Sequence, residues 1–135
     1  MVEVPIKPIG REQIHKLESA LFLGTIFSEE VLDILKNPEE RLTWVDSIAV
    51  AAAAIARESA GMTTSQIAED IGRSEVSVKN HLKGKTKAGA LVLKTYERFK
   101  RGEVSINFEN IFKYKEKLDK VKEELKKIVE DLENF

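Results

Sequence analysis

The amino-acid sequence predicts an all-α fold. Apolar residues recur at spacings of three and four along most of the chain, and strand-like alternation is nearly absent. One segment, Trp44 to Ala60, is apolar almost all round, as a helix surrounded by protein must be. Its longest unbroken apolar run, Ile48 to Ala56, is about half of the ~20 residues a membrane span needs, so it reads as the buried centre of a domain.

Composition narrows the function classes. A chain of 135 residues, 42% hydrophobic and 33% charged, suits one folded domain with an extension. It has no cysteine, which excludes disulfides, thiolate metal sites and thiol catalysis. The start, Met-Val-Glu-Val-Pro, lacks the basic-then-apolar plan of a signal peptide, and a cytoplasmic location is expected. Charge is distributed unevenly. Residues 1–71 carry a net −6 and residues 103–135 a net −2, whereas residues 72–102 hold nine Lys/Arg against two Glu, a net +7. A cationic stretch inside an acidic protein is the footprint of a phosphate-facing surface.

In chain order, Pro5, Pro8 and Gly10 keep the first ten residues extended. Arg11 to Leu23 is expected to be helical, with Ile14, Leu17, Ala20 and Leu21 on one face and Gly24 as its stop. Ser28 is placed to cap a short helix from Glu29 to Lys36. Asn37-Pro38 is a further start signal. The helix it opens either runs unbroken to Ala60 or restarts at Thr43, where Thr43-x-x-Asp46 has the form of a capping box. Trp44 is read as a core residue at the start of the central helix, and Gly61 as its left-handed end.

The strongest signal is Thr63 to Leu82, TTSQIAEDIGRSEVSVKNHL. Thr63 and Gln66 make a capping box, with Ile67 and Ile71 as the apolar positions of a short helix. Ala68 is small where a second helix must cross. Gly72 supplies the positive φ of a tight turn. Ser74 caps the second helix, and Val78 and Leu82 face inward at i, i+4. Together these offsets make a specific signal for two short crossing helices, and the whole unit resembles tri-helical helix-turn-helix modules. Its second helix, about Ser74 to Leu82, becomes a recognition helix for double-stranded DNA.

The segment SEVSVKNHL resembles the recognition-helix end of LuxR-type response regulators, with Arg73 standing where such motifs usually carry an apolar residue. More widely, LFLGTIFSEEVLDIL, RLTWVDSIAVAAAAIAR, IAEDIGRSEVSVKNHLKGKTKAG and YERFKRGE resemble an archaeal family of regulatory helix-turn-helix proteins encoded beside KaiC-like ATPases. That resemblance implies a regulatory role and an ATPase partner, and it adds no catalytic residue.

With Ala68, Val78 and Leu82 inward, the outward set for base contact is Ser74, Glu75, Ser77, Lys79 and Asn80. Asparagine pairs with adenine edges and lysine with guanine, serine reads either, and glutamate accepts from a cytosine amine. Phosphate contact is assigned to Thr63, Thr64, Arg73, Lys83, Lys85 and Lys87, on the expectation that Gly84 and Gly89 keep the loop after the recognition helix mobile. His81 is expected to be half-buried packing, and His15 to lie on the polar side of its helix. Neither sits in a metal-ligand pattern, and no P-loop, dinucleotide glycine pattern or nucleophile elbow occurs. No cofactor, no metal and no enzymatic activity are therefore expected.

Ala88 to Arg101 reads as a helix ended by Gly102. Its rival is a wing, with strands at Leu91 to Phe99 and Val104 to Phe108 around KRGE. A final long helix, capped at or near Asn107, carries Ile111, Tyr114, Leu118, Val121, Leu125, Ile128 and Leu132 at alternating spacings of three and four. This coiled-coil-like stripe predicts a homodimer, and its rival is an amphipathic helix folded back on its own domain. A parallel pair, an antiparallel pair and a tetramer all remain open. The expected organisation is an N-terminal helical segment, 1–42, a DNA-binding domain, 43–102, and an oligomerisation helix, 107–135. The rivals to sequence-specific DNA binding are a non-enzymatic adaptor docking a KaiC-like ATPase, and an RNA-binding protein.

Overall fold

Small side chains on one helix decide how closely the others approach it. The computed structural model describes residues 4–103 and 108–134, with side chains for 4–103 and 119–134. Among these residues lie seven helices and no strand: α1 (Gly10–Ile26), α2 (Glu29–Leu35), α3 (Pro38–Ser59), α4 (Thr64–Ile71), α5 (Glu75–Leu82), α6 (Lys87–Lys100) and α7 (Phe108–Glu133). The chain divides into two compact units, one holding α1–α6 and the other α7.

In the first unit α3 touches each of α1, α2, α4, α5 and α6. It can do so because Ala51, Ala52, Ala54 and Ala56 are fully buried and leave room for neighbours on several sides. Ile48, Ala51, Ala52 and Ile55 pack with Leu17 and Leu21 of α1, Val31 of α2, and Val92 and Phe99 of α6. Ala54 packs separately with Ile67 and Ala68 of α4 and Val78 of α5, and Leu82 borders both clusters. The boundary expected between residues 42 and 43 falls inside α3, and α1 and α2 bury their apolar faces in the same core as α6.

α3 is continuous from its proline start. Asn37 accepts the Glu39 N–H at 3.1 Å, and Pro38 occupies the first helical position. Two elements differ from expectation. α1 passes through Gly24 to Ile26, because Thr25 is buried and hydrogen-bonds Thr95 of α6 at 2.7 Å, so tertiary packing outweighs the weak glycine stop. Ser28 precedes α2, but its hydroxyl donates back to the Thr25 carbonyl at 2.7 Å and makes no cap. The wing is ruled out by α6, which makes its supposed first strand, Leu91 to Phe99, helical; Val104 to Asn107 lie outside the described residues.

The loop after α5 is shorter than expected and leaves Gly89 inside α6. Only residues 83–86 separate α5 from α6, and Gly84 has φ +70 while His81 and Asn80 accept the backbone N–H groups of Gly84 and Lys85. Thr86 then caps α6, accepting the Gly89 N–H at 2.9 Å. Gly89 itself is helical and buried, and it marks a close crossing: a Cβ there would collide with the His81 carbonyl and lie 2.9 Å from His81 Cα. Gly72, by contrast, adopts φ +68 with nothing within 4 Å of a built Cβ.

Both glycines should resist replacement by alanine, Gly89 against the expectation from helix propensity. Propensity alone favours Ala at position 89 by roughly 0.5–1 kcal/mol. The crossing predicts instead that Gly89→Ala destabilises the fold, and by more than Gly72→Ala, which carries only the left-handed cost of about 1–2 kcal/mol. Urea denaturation of the two variants measures this. A neutral or stabilising Gly89→Ala would contradict the α5–α6 contact.

Candidate nucleic-acid interface

The placement of α5 follows from local chemistry at both of its ends. The capping box on α4 is complete: Gln66 N–H donates to Thr63 Oγ1 at 3.2 Å, and Thr63 N–H donates to Gln66 Oε1 at 2.9 Å. Gly72 closes α4 in the left-handed region, and the Arg73 N–H reaches the Ala68 carbonyl at 3.1 Å. Ser74 caps α5 by accepting the Ser77 N–H at 3.1 Å. Val78 is fully buried and Leu82 half-buried, so the opposite face of α5 is turned outward.

On that outward face Lys79 and Lys83 are exposed and Asn80 is half-buried. Ser74 and Glu75 are exposed at the N-terminus, the first with its hydroxyl committed to the cap, and Ser77 is half-buried on the flank. Val76, absent from the expected contact set, stands between them 70% exposed. Its signal is present in the sequence: a valine two residues before an inward Val78 must point away from the core on a helix. An exposed apolar side chain amid lysine and asparagine is of the chemical type that can pack on a thymine methyl in a major groove.

The expected phosphate set separates into groups. Thr63 and Thr64 stand together at the N-terminus of α4, Lys83 closes α5, and Lys85 is exposed in the turn that follows. Arg73 is exposed but lies 3.5 Å from Asp46 of α3, a solvent-exposed pair of little energetic weight. Lys87 begins α6 and lines a cavity beside Trp44, apart from the outward face of α5. His81 is more buried than expected: it is 8% exposed, its Nδ1 hydrogen-bonds Thr86 Oγ1 at 2.8 Å, and burial pushes its pKa below the ordinary value. His15 is exposed and pairs with Glu18 at 3.1 Å. Among the described residues no group of acidic and histidine side chains is arranged to hold a metal ion, and no helix is long and apolar enough to cross a membrane.

An ionic cluster holds α4 in place. Arg57, on the last turn of α3 and 6% exposed, donates from Nε to Asp70 of α4 at 2.6 Å, and from a terminal nitrogen to Glu18 of α1 at 3.2 Å and to the Ala53 carbonyl at 3.0 Å. Arg11 of α1 grips the same Asp70 with two bonds, 2.9 and 2.8 Å. Hydrogen bonds from Arg11 and then Arg57 hold the Asp70 carboxyl well below the usual carboxylate range. The bonded Asp70 in turn raises the Arg11 pKa.

α7, taken by itself, is a helix of 26 residues. Val121, Leu125, Ile128 and Leu132 lie on one stripe and are 51–70% exposed, with Val129 beside them. Ile111, Tyr114 and Leu118 belong to the same helix; their side chains, and the expected cap at Asn107, lie outside the described residues.

Over 113 residues the chain is 50% identical to the uncharacterized protein MJ1053 of Methanocaldococcus jannaschii, a match spanning 84% of this chain and 68% of that protein. The chain belongs to the same family. No family profile matches it, and no solved structure matches it.

The ionic cluster predicts an acid limb of stability. Asp70 has a folded pKa below its unfolded value of about 3.9, so its contribution is complete above that value and is lost as the pH falls toward the folded pKa. Asp70→Asn should melt below the parent chain at pH 7, with the two melting temperatures converging between about pH 4 and pH 2. Parallel profiles would show that Asp70 is not a stabilising anion.

Proposed function

We propose that this member of the MJ1053 family is a dimeric, sequence-specific regulator that binds double-stranded DNA with α5 in the major groove. The observation that carries the reading is the outward face of α5. There Val76, Lys79, Asn80 and Lys83 are presented on a helix fixed by caps and core contacts, within a segment of net +7. Asn80 suits an adenine edge, Lys79 a guanine, Val76 a thymine methyl, and Ser77 either partner. Glu75 accepts from a cytosine amine or favours the N-terminus of α5. The hydroxyls of Thr63 and Thr64 suit one phosphate, and Lys83 and Lys85 suit others. Arg73 reaches a phosphate once it exchanges Asp46 for it, a small loss for so exposed a pair.

A single short helix reads few base pairs, and a two-fold protein doubles the site. The apolar stripe on α7 supports pairing of two copies, since Val121, Leu125, Ile128 and Leu132 keep the alternating four- and three-residue spacing of a coiled coil. The resemblance to archaeal regulators encoded beside KaiC-like ATPases supports a regulatory role.

Binding selected from a random duplex pool, followed by gel-shift titration, tests the reading. Lys79→Ala with Asn80→Ala should abolish sequence preference, at about 1–3 kcal/mol for each base no longer read. Lys83→Ala with Lys85→Ala should weaken binding to every duplex alike and make the salt dependence shallower, by about 0.9 in log–log slope for each phosphate no longer neutralised. Unchanged preference in the first variant would remove α5 as the reading element. No shift of any duplex, with capture of a KaiC-like ATPase through the same residues, would replace DNA with a protein partner.

A further inference from the structure

Between residues 43 and 103 one large apolar side chain is exposed, and it stands on α5. Val76 is 70% exposed and belongs to neither core cluster. Nor does the helix itself call for it. α5 spans only eight residues, and a β-branched residue supports a helix less well than lysine, glutamate or alanine does. Neither burial nor helix formation accounts for valine at this position.

Its setting favours contact with a small apolar group. Val76 lies in the first turn of α5, where Ser74 fixes the helix start by accepting the Ser77 N–H at 3.1 Å. In helices docked in a major groove, that turn meets base edges. Valine in a helix has one strongly preferred χ1 rotamer, so its two methyl groups are already placed and lose little freedom on contact. Lys79 and Asn80, three and four residues on, share its side of the helix and supply the polar partners. An apolar side chain among them gains nothing from phosphates, amines or carbonyls. The one apolar substituent on a major-groove edge is the methyl at C5 of a pyrimidine.

That methyl is carried by thymine and by 5-methylcytosine. The two bases differ at the neighbouring C4, which bears an acceptor carbonyl in thymine and a donor amine in cytosine. Glu75 is exposed and accepts from an amine, while the half-buried Ser77 carries a hydroxyl that both donates and accepts. The residues on either side of Val76 therefore admit both bases. We infer, on the premise that α5 enters the major groove, that Val76 reads the C5 methyl of a pyrimidine as a feature in its own right. Affinity for the site then depends on the presence of a single methyl group, and duplexes that differ only in pyrimidine methylation are told apart.

The test uses the full chain and the best duplex selected from a random pool, titrated by fluorescence anisotropy. At each pyrimidine of the site thymine is compared with deoxyuridine, and cytosine with 5-methylcytosine, so that each pair of duplexes differs by one methyl. At one position in each half-site the methyl should tighten binding about fourfold, the equivalent of about 0.8 kcal/mol for one buried carbon. In Val76→Ala, with an unchanged far-ultraviolet circular dichroism spectrum, that gain should vanish. A gain confined to one of the two pairs upholds the inference and names thymine or methylcytosine as the base read. Binding blind to the methyl at every pyrimidine, or a gain that persists in Val76→Ala, would overturn it. Loss of preference in Lys79→Ala with Asn80→Ala would then still leave α5 as the reading element, whereas failure to bind any duplex would remove both.

Discussion

A guanidinium that has lost nearly all its water must find anions inside the fold, and Arg57 finds them on two different helices. Glu18 belongs to α1 and Asp70 to α4, so satisfying one buried charge on α3 ties three elements together. Arg11 closes the arrangement by holding Asp70 from the other side. The cost of leaving such a charge unpaired is far greater than the net gain from the pair itself. What the cluster confers is therefore position. α4 cannot slide along α3 without stranding Arg57, and α5 follows α4 through a turn of only Gly72, Arg73 and Ser74.

The second fixed point lies at the other end of α5. Gly89 lets α6 pass against the His81 backbone, and Thr86 both caps α6 and bonds the His81 ring. α5 is thus held by Val78 beneath it, by the Gly72–Ser74 turn before it, and by the turn through Gly84 and Thr86 after it. Side chains on its free face inherit that rigidity. A site on a constrained helix presents Lys79 and Asn80 with less conformational freedom to lose on binding than a mobile loop would.

Much of this is legible in local sequence, because caps and turns act over three to five residues. Thr63 with Gln66, Asn37 before Pro38, Ser74, and the positive φ of Gly61 and Gly72 all stand where the residue types place them. The inward set Ala68, Val78 and Leu82 also follows from spacing, and the outward Val76 obeys the same rule. Non-local effects are not legible. Arg57 meets Glu18 across 39 positions, and Arg11 meets Asp70 across 59, with nothing in the intervening sequence to pair them. Gly24 reads as a stop because the Thr25–Thr95 bond that carries α1 past it spans 70 positions. Gly89 reads as a flexible hinge for a related reason. A glycine that permits a close crossing looks, in sequence, like one that permits a turn.

The central claim is that the exposed face of α5 is the surface that meets DNA. The most direct measurement is amide chemical-shift mapping of the full chain during addition of a mixed-sequence duplex at low salt. The account predicts that the largest shifts fall on residues 74–83 and on Thr63 and Thr64, with residues of α1 and α2 little affected. Shifts concentrated on α1 and α2, or a spectrum that no duplex changes, would contradict it.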